Sequence, residues 1–502
     1  MWGVHGLGIA YRAIHMSLLR AGVWLSVGIA LGRCAGFIRE ALLARQYGLG
    51  ADADAAVIVL TLPDSILNIL VGSAMGAALV PALAAQRLRG QQTDVDRLQT
   101  QVAVLALGLG LVLTLILSMG SATLVHLLAP GLAPAVVTRC AAVVDLALWA
   151  IPLTVLSSVI GAGLQERERF ASTSLGTVWF NGAVIVALLL WSGTLAAIAW
   201  AMIAGAALRL LGQLLEWRAS GGSWRWRRWG RWAPDRAMAV AYVEVLLAGA
   251  ALMLLPLAGR WFASFNGDGA IAAWTYASKL FELPLQVVVT IFATALFPRF
   301  SRLLTAGDDA TARSYLLLGV QTVLVIATVV TVVFSFFSLE LVRVAFAFRE
   351  GPVASLASAL LVALPFAGVT ALLQAWYAAR RDTRTPVVAG ILGVALFLAA
   401  GWPVLQAAGL LGIAWLAVAH YALVAGILSG VLLHRERLPL LSGAAHVLGP
   451  ALVAGLAAAA ACLLSSLVDG STLRLTCAAG ASLVALGAGL ACIPRLRTLI
   501  RL

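Results

Sequence analysis

Thr294-Ala295-Leu296-Phe297-Pro298, followed at once by the basic Arg299-Phe300-Ser301-Arg302, is the second copy of a motif first met at Ala77-Ala78-Leu79-Val80-Pro81, which a basic loop also follows. Each copy closes a long apolar stretch that carries a Leu-Pro pair earlier on, Leu62-Pro63 in the first and Leu283-Pro284 in the second. The exits of two later stretches correspond loosely in the same way, Gln165-Glu166-Arg167-Glu168-Arg169 against Ala379-Arg380-Arg381-Asp382. A pattern that recurs half a chain later marks an internal structural repeat.

Apolar runs of membrane-spanning length lie on both sides of each copy, separated by short charged or Gly/Pro-containing breaks. They are expected near 18–44, 53–84, 101–128, 138–163, 173–193, 195–216, 237–263, 270–298, 314–337, 355–378, 386–403, 409–433, 445–467 and 473–493. Composition agrees: 62% of the 502 residues are hydrophobic and only 11% are charged. A soluble domain carries about 25% charged residues to face water, so a soluble enzyme is excluded.

The net charge of +13 is informative through its placement. With the N-terminus in the cytoplasm, the cytoplasmic segments collect Arg87, Arg89, Arg97, Arg167, Arg169, the cluster Arg218–Arg236, Arg299, Arg302, Arg313, Arg380, Arg381, Arg384, Arg435, Arg437 and the tail Arg495–Arg501. The opposite side holds Arg45, Arg139, Arg343, Arg349, Arg474 and little else. This is the positive-inside bias. A miscounted helix would invert it downstream, so both termini are expected in the cytoplasm of a bacterial inner (cytoplasmic) membrane. The Trp/Arg-rich segment Trp217–Trp232 reads as a loop at an anionic leaflet, in contact with membrane lipids, and not as a nucleic-acid patch.

The repeat offset is six helices, an even number, so both copies share one orientation. The expected fold class is an all-α polytopic membrane protein with about fourteen transmembrane helices: two parallel six-helix lobes plus two C-terminal helices. The divisions are 1–17 as an N-terminal cytoplasmic extension, 18–216 as helices 1–6, 217–236 as a basic loop, 237–435 as helices 7–12, 445–493 as helices 13–14 and 494–502 as a basic tail. Met16 is as plausible a start as Met1, and no cleavable signal precedes Arg33. The five cysteines and six histidines have no ligand spacing, so no metal site is expected. No Walker A, HExxH, GxSxG or dinucleotide fingerprint occurs, so no cofactor and no enzymatic activity are expected. The oligomeric state is left open, a monomer being one reading.

An ionisable group inside a span costs several kcal/mol, on the order of 2.5–3.5 on insertion scales, unless it is paired or faces water. Span 1 carries Arg33, Arg39 and Glu40, with Arg33, Gly36 and Glu40 on one stripe. Span 2 carries Thr61, Asp64, Asn68 and Gly72 on one face, with Pro63 loosening the backbone at that depth; a cavity wall and a helix–helix polar contact are both open readings. Span 8 carries Lys279, the only lysine among 34 basic residues, with Glu282 on the same face just before Pro284. Span 7 carries Glu244, for which protonation and pairing with Arg236 are both open. Arg33, Arg39 and Lys279 are the candidate anion-binding residues, suited to a pyrophosphate head group. Glu40, Asp64, Asn68, Glu282 and Glu244 are candidates for support or coupling, and Gly36, Pro63 and Pro284 for hinges.

Arg33-Cys34-Ala35-Gly36-Phe37-Ile38-Arg39-Glu40, Arg45-Gln46-Tyr47-Gly48, Asp54, Leu62-Pro63, Val80-Pro81, Arg169-Phe170, Tyr276 with Lys279 through Pro284, Phe297-Pro298, Trp376-Tyr377 through Arg381-Asp382 and Thr385-Pro386 together resemble the MurJ/MviN lipid II flippases over roughly 18–435. The resemblance implies fourteen helices in a two-lobed fold of the multidrug/oligosaccharidyl-lipid/polysaccharide exporter superfamily. It implies a lipid-linked glycan partner, a polyprenyl-pyrophosphate peptidoglycan precursor moved outward by alternating access, with the lipid tail beside spans 13–14. Arg33 and Arg39 fall on the family's span-1 arginines, and Lys279 falls where the family has a span-8 arginine. The departures are Leu67 at the family's span-2 arginine, Gly72 at a glutamate, Ser278 at an acidic position, and Met253 and Gly259 in an apolar span 7. Another lipid-linked glycan, such as an exopolysaccharide or O-antigen unit, is the alternative cargo. A cation-coupled multidrug exporter is a second alternative, against which the cationic stripe speaks.

Overall fold

The computed structural model describes residues 27–70, 74–89, 92–191, 193–224, 234–349, 351–435, 440–466 and 471–493. The extension 1–17, the heart of the basic loop at 225–233 and the tail 494–502 lie outside the described residues. Every regular element among those described is a helix. That is the outcome a bilayer demands, because a helix satisfies each backbone N–H and C=O within its own segment.

The chain divides into two compact units, Met1–Met253 and Leu254–Leu502. The first contains α1 (27–47), α2 (Ala51–Leu70), α3 (Ala74–Leu88), α4 (Gln92–Met119), α5 (Ser121–Leu128), α6 (Pro134–Ala147), α7 (Ala150–Glu166), α8 (Ala171–Ser174), α9 (Gly176–Leu190) and α10 (Leu195–Ala219). The division falls inside α11 (Arg236–Ala263). The second contains α12 (Ala270–Thr305), α13 (Asp309–Phe336), α14 (Ser338–Phe346), α15 (Val353–Leu361), α16 (Leu364–Ala379), α17 (Arg384–Arg435), α18 (Leu440–Ser466) and α19 (Ser471–Ala491).

The described part of each expected span falls on a helix or a broken pair, residues 18–26 and 71–73 being among those outside the described residues. Among the described residues, seven helical stretches are by themselves long and apolar enough to cross a membrane, eight if the pair α15–α16, bent by 45°, counts as one. The third span is shifted from its expected place: its helix is α4, which starts at Gln92, and α5 is a separate short helix after Gly120. The charged start Asp94-Val95-Asp96-Arg97 reads as loop, but Asp96, Gln99, Thr100 and Gln101 are buried helix. Trp217, expected in the basic loop, is likewise helical and fully buried against Ile160 and Leu164. Spans 11 and 12 are the two halves of α17, broken at Gly409, whose φ of 59° and ψ of −154° suit only glycine.

The repeat is visible within each unit separately. In the first, α7 packs on α3, α4 and α10; in the second, α16 packs on α12, α13 and α17. Helices α7 and α16 end on the same cap, with Glu168 (φ 58°) and Arg381 (φ 59°) left-handed. Arg169 N–H donates to Leu164 O at 2.8 Å and Asp382 N–H to Tyr377 O at 2.9 Å, the six-to-one bond of a Schellman motif. The last two helices are α18 and α19. They pack on α13 through small residues, Ala451, Ala454, Ala458 and Ala485 against Val325 and Val329, the close approach typical of helices in lipid.

Candidate functional site

In the first unit, α1 lies on α8 and α9 along a glycine stripe. A Cβ on Gly28 would stand 2.5 Å from Ser174 Cβ, one on Gly32 3.0 Å from Thr177 Cβ, and one on Gly36 3.5 Å from Asn181 Nδ2. The four-residue spacing is the small-xxx-small pattern that lets membrane helices touch. Above Gly36 the seam becomes polar. Arg39 donates through Nη1 to Asn181 Oδ1 at 2.8 Å and through Nη2 to Glu40 Oε1 at 2.9 Å, while Asn181 Nδ2 donates to Gly32 O at 3.1 Å. Gln46 continues the seam by donating to the Leu188 carbonyl. Arg39 is 6% exposed and Glu40 fully buried, so this pair is locked into the contact between helices. Glu40 pairs with Arg39 and not with the stripe-mate Arg33, which is half-buried one residue beyond Gly32.

On α2, Pro63 is buried, Asp64 half-buried and Asn68 exposed. The charged partner of this face is Arg209 of α10, which is coupled electrostatically to Asp64 and lies over Gly176, where a Cβ would come 2.8 Å from its Nε. Glu244 is exposed on α11.

In the second unit, Lys279 Nζ donates to Glu282 Oε2 at 2.7 Å along one face of α12. Both keep about a quarter of their side-chain surface (25% and 29%) accessible. Arg260 of α11 and Tyr421 of α17 are charge-coupled to Glu282, and the Tyr421 ring stands 5.6 Å from Phe281. Beside Arg260, a Cβ on Gly259 would strike the Trp274 indole at 2.4 Å, so only glycine lets α11 and α12 approach there. Pro284 is buried one turn further along α12.

Each unit therefore brings its own predicted residues together, Arg39 with Glu40 and Lys279 with Glu282. Asn181, Arg209, Arg260 and Tyr421 are additions that only the packing reveals. Among the described residues, no cluster of histidine, cysteine or carboxylates forms a metal site. Chemically, basic side chains held by carboxylates inside apolar helices can take an anionic group and release it.

A family profile described as "Lipid II flippase MurJ" matches residues 43–477. A probable lipid II flippase MurJ of Rhizobium tropici is 26% identical over 402 residues, covering 76% of this chain and 74% of that protein. The lipid II flippase MurJ of Burkholderia cenocepacia is 26% identical over 393 residues, covering 74% and 75%. Among solved structures, lipid II flippase MurJ in an inward closed conformation superposes with a TM-score of 0.76 at 15% identity, over 95% of this chain and 98% of that one. An inward-facing multidrug resistance MATE family transporter of the MOP superfamily gives 0.70 at 16% identity, over 83% and 98%.

Proposed function

The chain belongs to the MurJ lipid II flippase family, and from that premise we propose that it carries a polyprenyl-pyrophosphate-linked peptidoglycan precursor of the lipid II type from the inner to the outer leaflet. It is a multi-pass helical membrane protein of a transporter family. In this reading it sits in the bacterial cytoplasmic membrane with both termini inside. Its lobes are 18–216 and 237–435, joined by the basic loop, and alternating access exposes the head group first to one side and then to the other.

The observation that carries the proposal is the family match across 435 residues, 43 through 477, in a chain whose apolar helices retain paired cations. Arg33 in the first unit and Lys279 in the second are the cations we assign to the pyrophosphate. Lysine supplies the charge without the planar fork of arginine. Arg39, bonded to Asn181 and Glu40, supports Arg33 by fixing α1 on α9. Glu282 holds Lys279 when no substrate is bound, and Asp64 and Asn68 line α2. Gly36, Pro63 and Pro284 are assigned as points of bending, and Glu244 as a coupling carboxylate on α11. The likeness to multidrug transporters is one of fold, and the retained basic groups favour an anionic cargo over a cationic drug.

Complementation tests this reading. In cells depleted of their own lipid II flippase, the wild-type chain is expected to restore growth, and Arg33→Ala at equal abundance in the membrane is expected not to. Failure of the inserted wild type, or rescue by Arg33→Ala, would overturn it.

A further inference from the structure

We propose that Arg209 of α10 is a further head-group-binding residue of the first unit, presenting its guanidinium to the pyrophosphate of the lipid-linked substrate; this rests on the flippase reading above. Arg209 lies ten residues before the end of α10 at Ala219, about 15 Å along the helix axis at 1.5 Å per residue. Its neighbours in sequence are Leu208, Leu210 and Leu211, so it stands inside the apolar span. Helical side chains lean toward the N-terminus, which carries the guanidinium deeper and away from the cytoplasmic end.

A cation at that depth needs a reason. Its charged neighbour is Asp64, but among the described residues the two form no salt bridge, and the buried Arg209 Nε has no hydrogen-bond partner. Arg39, which fixes α1 on α9, closes onto its carboxylate Glu40 at 2.9 Å. Arg209 is near enough to Asp64 to feel its charge and still keeps donors unspent. Gly176 makes the room: any side chain there would collide with Arg209 Nε, Cδ and Cζ. The same turn of α9 meets α1, since Thr177 faces Gly32, the residue before Arg33. Arg209 and Arg33 are thus held at one level of the first unit by adjacent residues of α9. Unspent guanidinium donors in a water-poor site are suited to phosphate oxygens, which they bind in bidentate, charge-assisted fashion. Asp64 then keeps Arg209 charged and oriented between transport events.

The test separates binding from neutralisation of Asp64. Undecaprenyl pyrophosphate is titrated onto the purified full chain in detergent, for the wild type, Arg209→Gln, Asp64→Asn and the double variant Arg209→Gln/Asp64→Asn. The double variant is electrically balanced, so an arginine needed only to offset Asp64 is dispensable in it. We expect the double variant to melt as the wild type does and to bind at least roughly tenfold more weakly. Wild-type affinity in the double variant would overturn the assignment while leaving the flippase reading intact. Absence of binding by the wild type would overturn both. Should the double variant not fold, Arg209→Lys carries the test, because it keeps the charge and loses the fork: binding weakened severalfold supports the assignment, and unchanged binding overturns it.

Discussion

Arg167, at the end of α7, reaches Asp96 in the second turn of α4 at 3.4 Å, with only 7% and 1% of the two side chains accessible. The same relationship recurs 213 residues later (Asp96 to Asp309, Arg167 to Arg380): Arg380, at the end of α16, reaches Asp309 at the start of α13 at 3.2 Å. The two pairs occupy equivalent places in the repeat, beside the matching Schellman caps. Their surroundings have diverged. Asp96 also accepts from Ser223 Oγ at 2.7 Å, and Arg167 donates to Ser220 O at 2.7 Å, whereas Arg380 and Asp309 are 33% and 52% accessible.

That divergence predicts unequal costs for the same substitution. Removing one partner of a buried pair leaves an uncompensated charge and costs about 3–5 kcal/mol, whereas an exposed pair contributes about 0–1 kcal/mol. Asp96→Ala is therefore expected to lower the thermal midpoint of the detergent-solubilised protein clearly. Asp309→Ala is expected to shift it little. Equal shifts would mean that burial does not distinguish the two pairs.

The α1–α9 seam makes a steric prediction. A methyl at Gly28 would meet Ser174 Cβ at 2.5 Å and its carbonyl carbon at 2.8 Å, and backbone cannot step aside as a side chain tip can. Overpacking of this kind costs about 1–3 kcal/mol. Gly28→Ala should lower the melting midpoint and speed alkylation of Cys34, which lies at the surface of α1, as α1 loosens. Gly50→Ala, with nothing within 4 Å of the new methyl, is the matched control and is expected to leave both unchanged.

Much of this architecture is legible in one dimension because a bilayer writes it there. Apolar runs of fixed length, arginine clusters between them and the Leu-Pro and Phe-Pro repeats are all linear features, and most of the described helices fall where those features put them. What escapes a linear reading depends on contacts across helices. Asn181 is one polar residue in the apolar α9, and its meaning comes from Arg39, 142 positions away. Arg209 and Arg260 sit singly in apolar spans, and only packing shows that they face Asp64 and Glu282. The glycines of α1 do carry the four-residue spacing, but which helix they meet is decided by α9. Asp96 looks like loop because it is charged, and becomes buried helix because Arg167 and Ser223 receive it.

The entrance to α17 gives a prediction about pH. Asp382 accepts from the Thr385 backbone N–H at 3.0 Å, from the Thr385 hydroxyl at 2.7 Å and from Arg435 at 2.6 Å. The Thr385 backbone bond is the largest cause holding its carboxyl down to about 2. An unfolded aspartate titrates near ~3.9. Because the folded value is the lower, the stabilisation is fully present above about pH 4 and is lost as pH falls through about 2. The gap in melting temperature between wild type and Asp382→Asn should be constant from neutral pH down to about 5 and should narrow toward pH ~2.5. A gap that does not change over that range would show that the carboxylate charge at this cap is not what stabilises it.

Lys279 and Glu282 allow the roles of charge and of position to be separated. The two are three residues apart on one face of α12, 2.7 Å from Nζ to Oε2, so exchanging them as Lys279→Glu/Glu282→Lys conserves both the ion pair and the net charge. If the pair only stabilises α12, the exchanged protein keeps its activity. If Lys279 meets the substrate, the exchange moves the cation by three residues, about 4.5 Å along the axis at 1.5 Å per residue, and phosphate contact is lost. Positioning errors of even ~1 Å are costly where geometry matters. We therefore expect the exchanged variant to be stable, inserted and unable to support growth in flippase-depleted cells, whereas Lys279→Arg, which restores a fork at the original position, supports it. Growth of the exchanged variant at the wild-type rate would reduce Lys279 to a structural partner of Glu282.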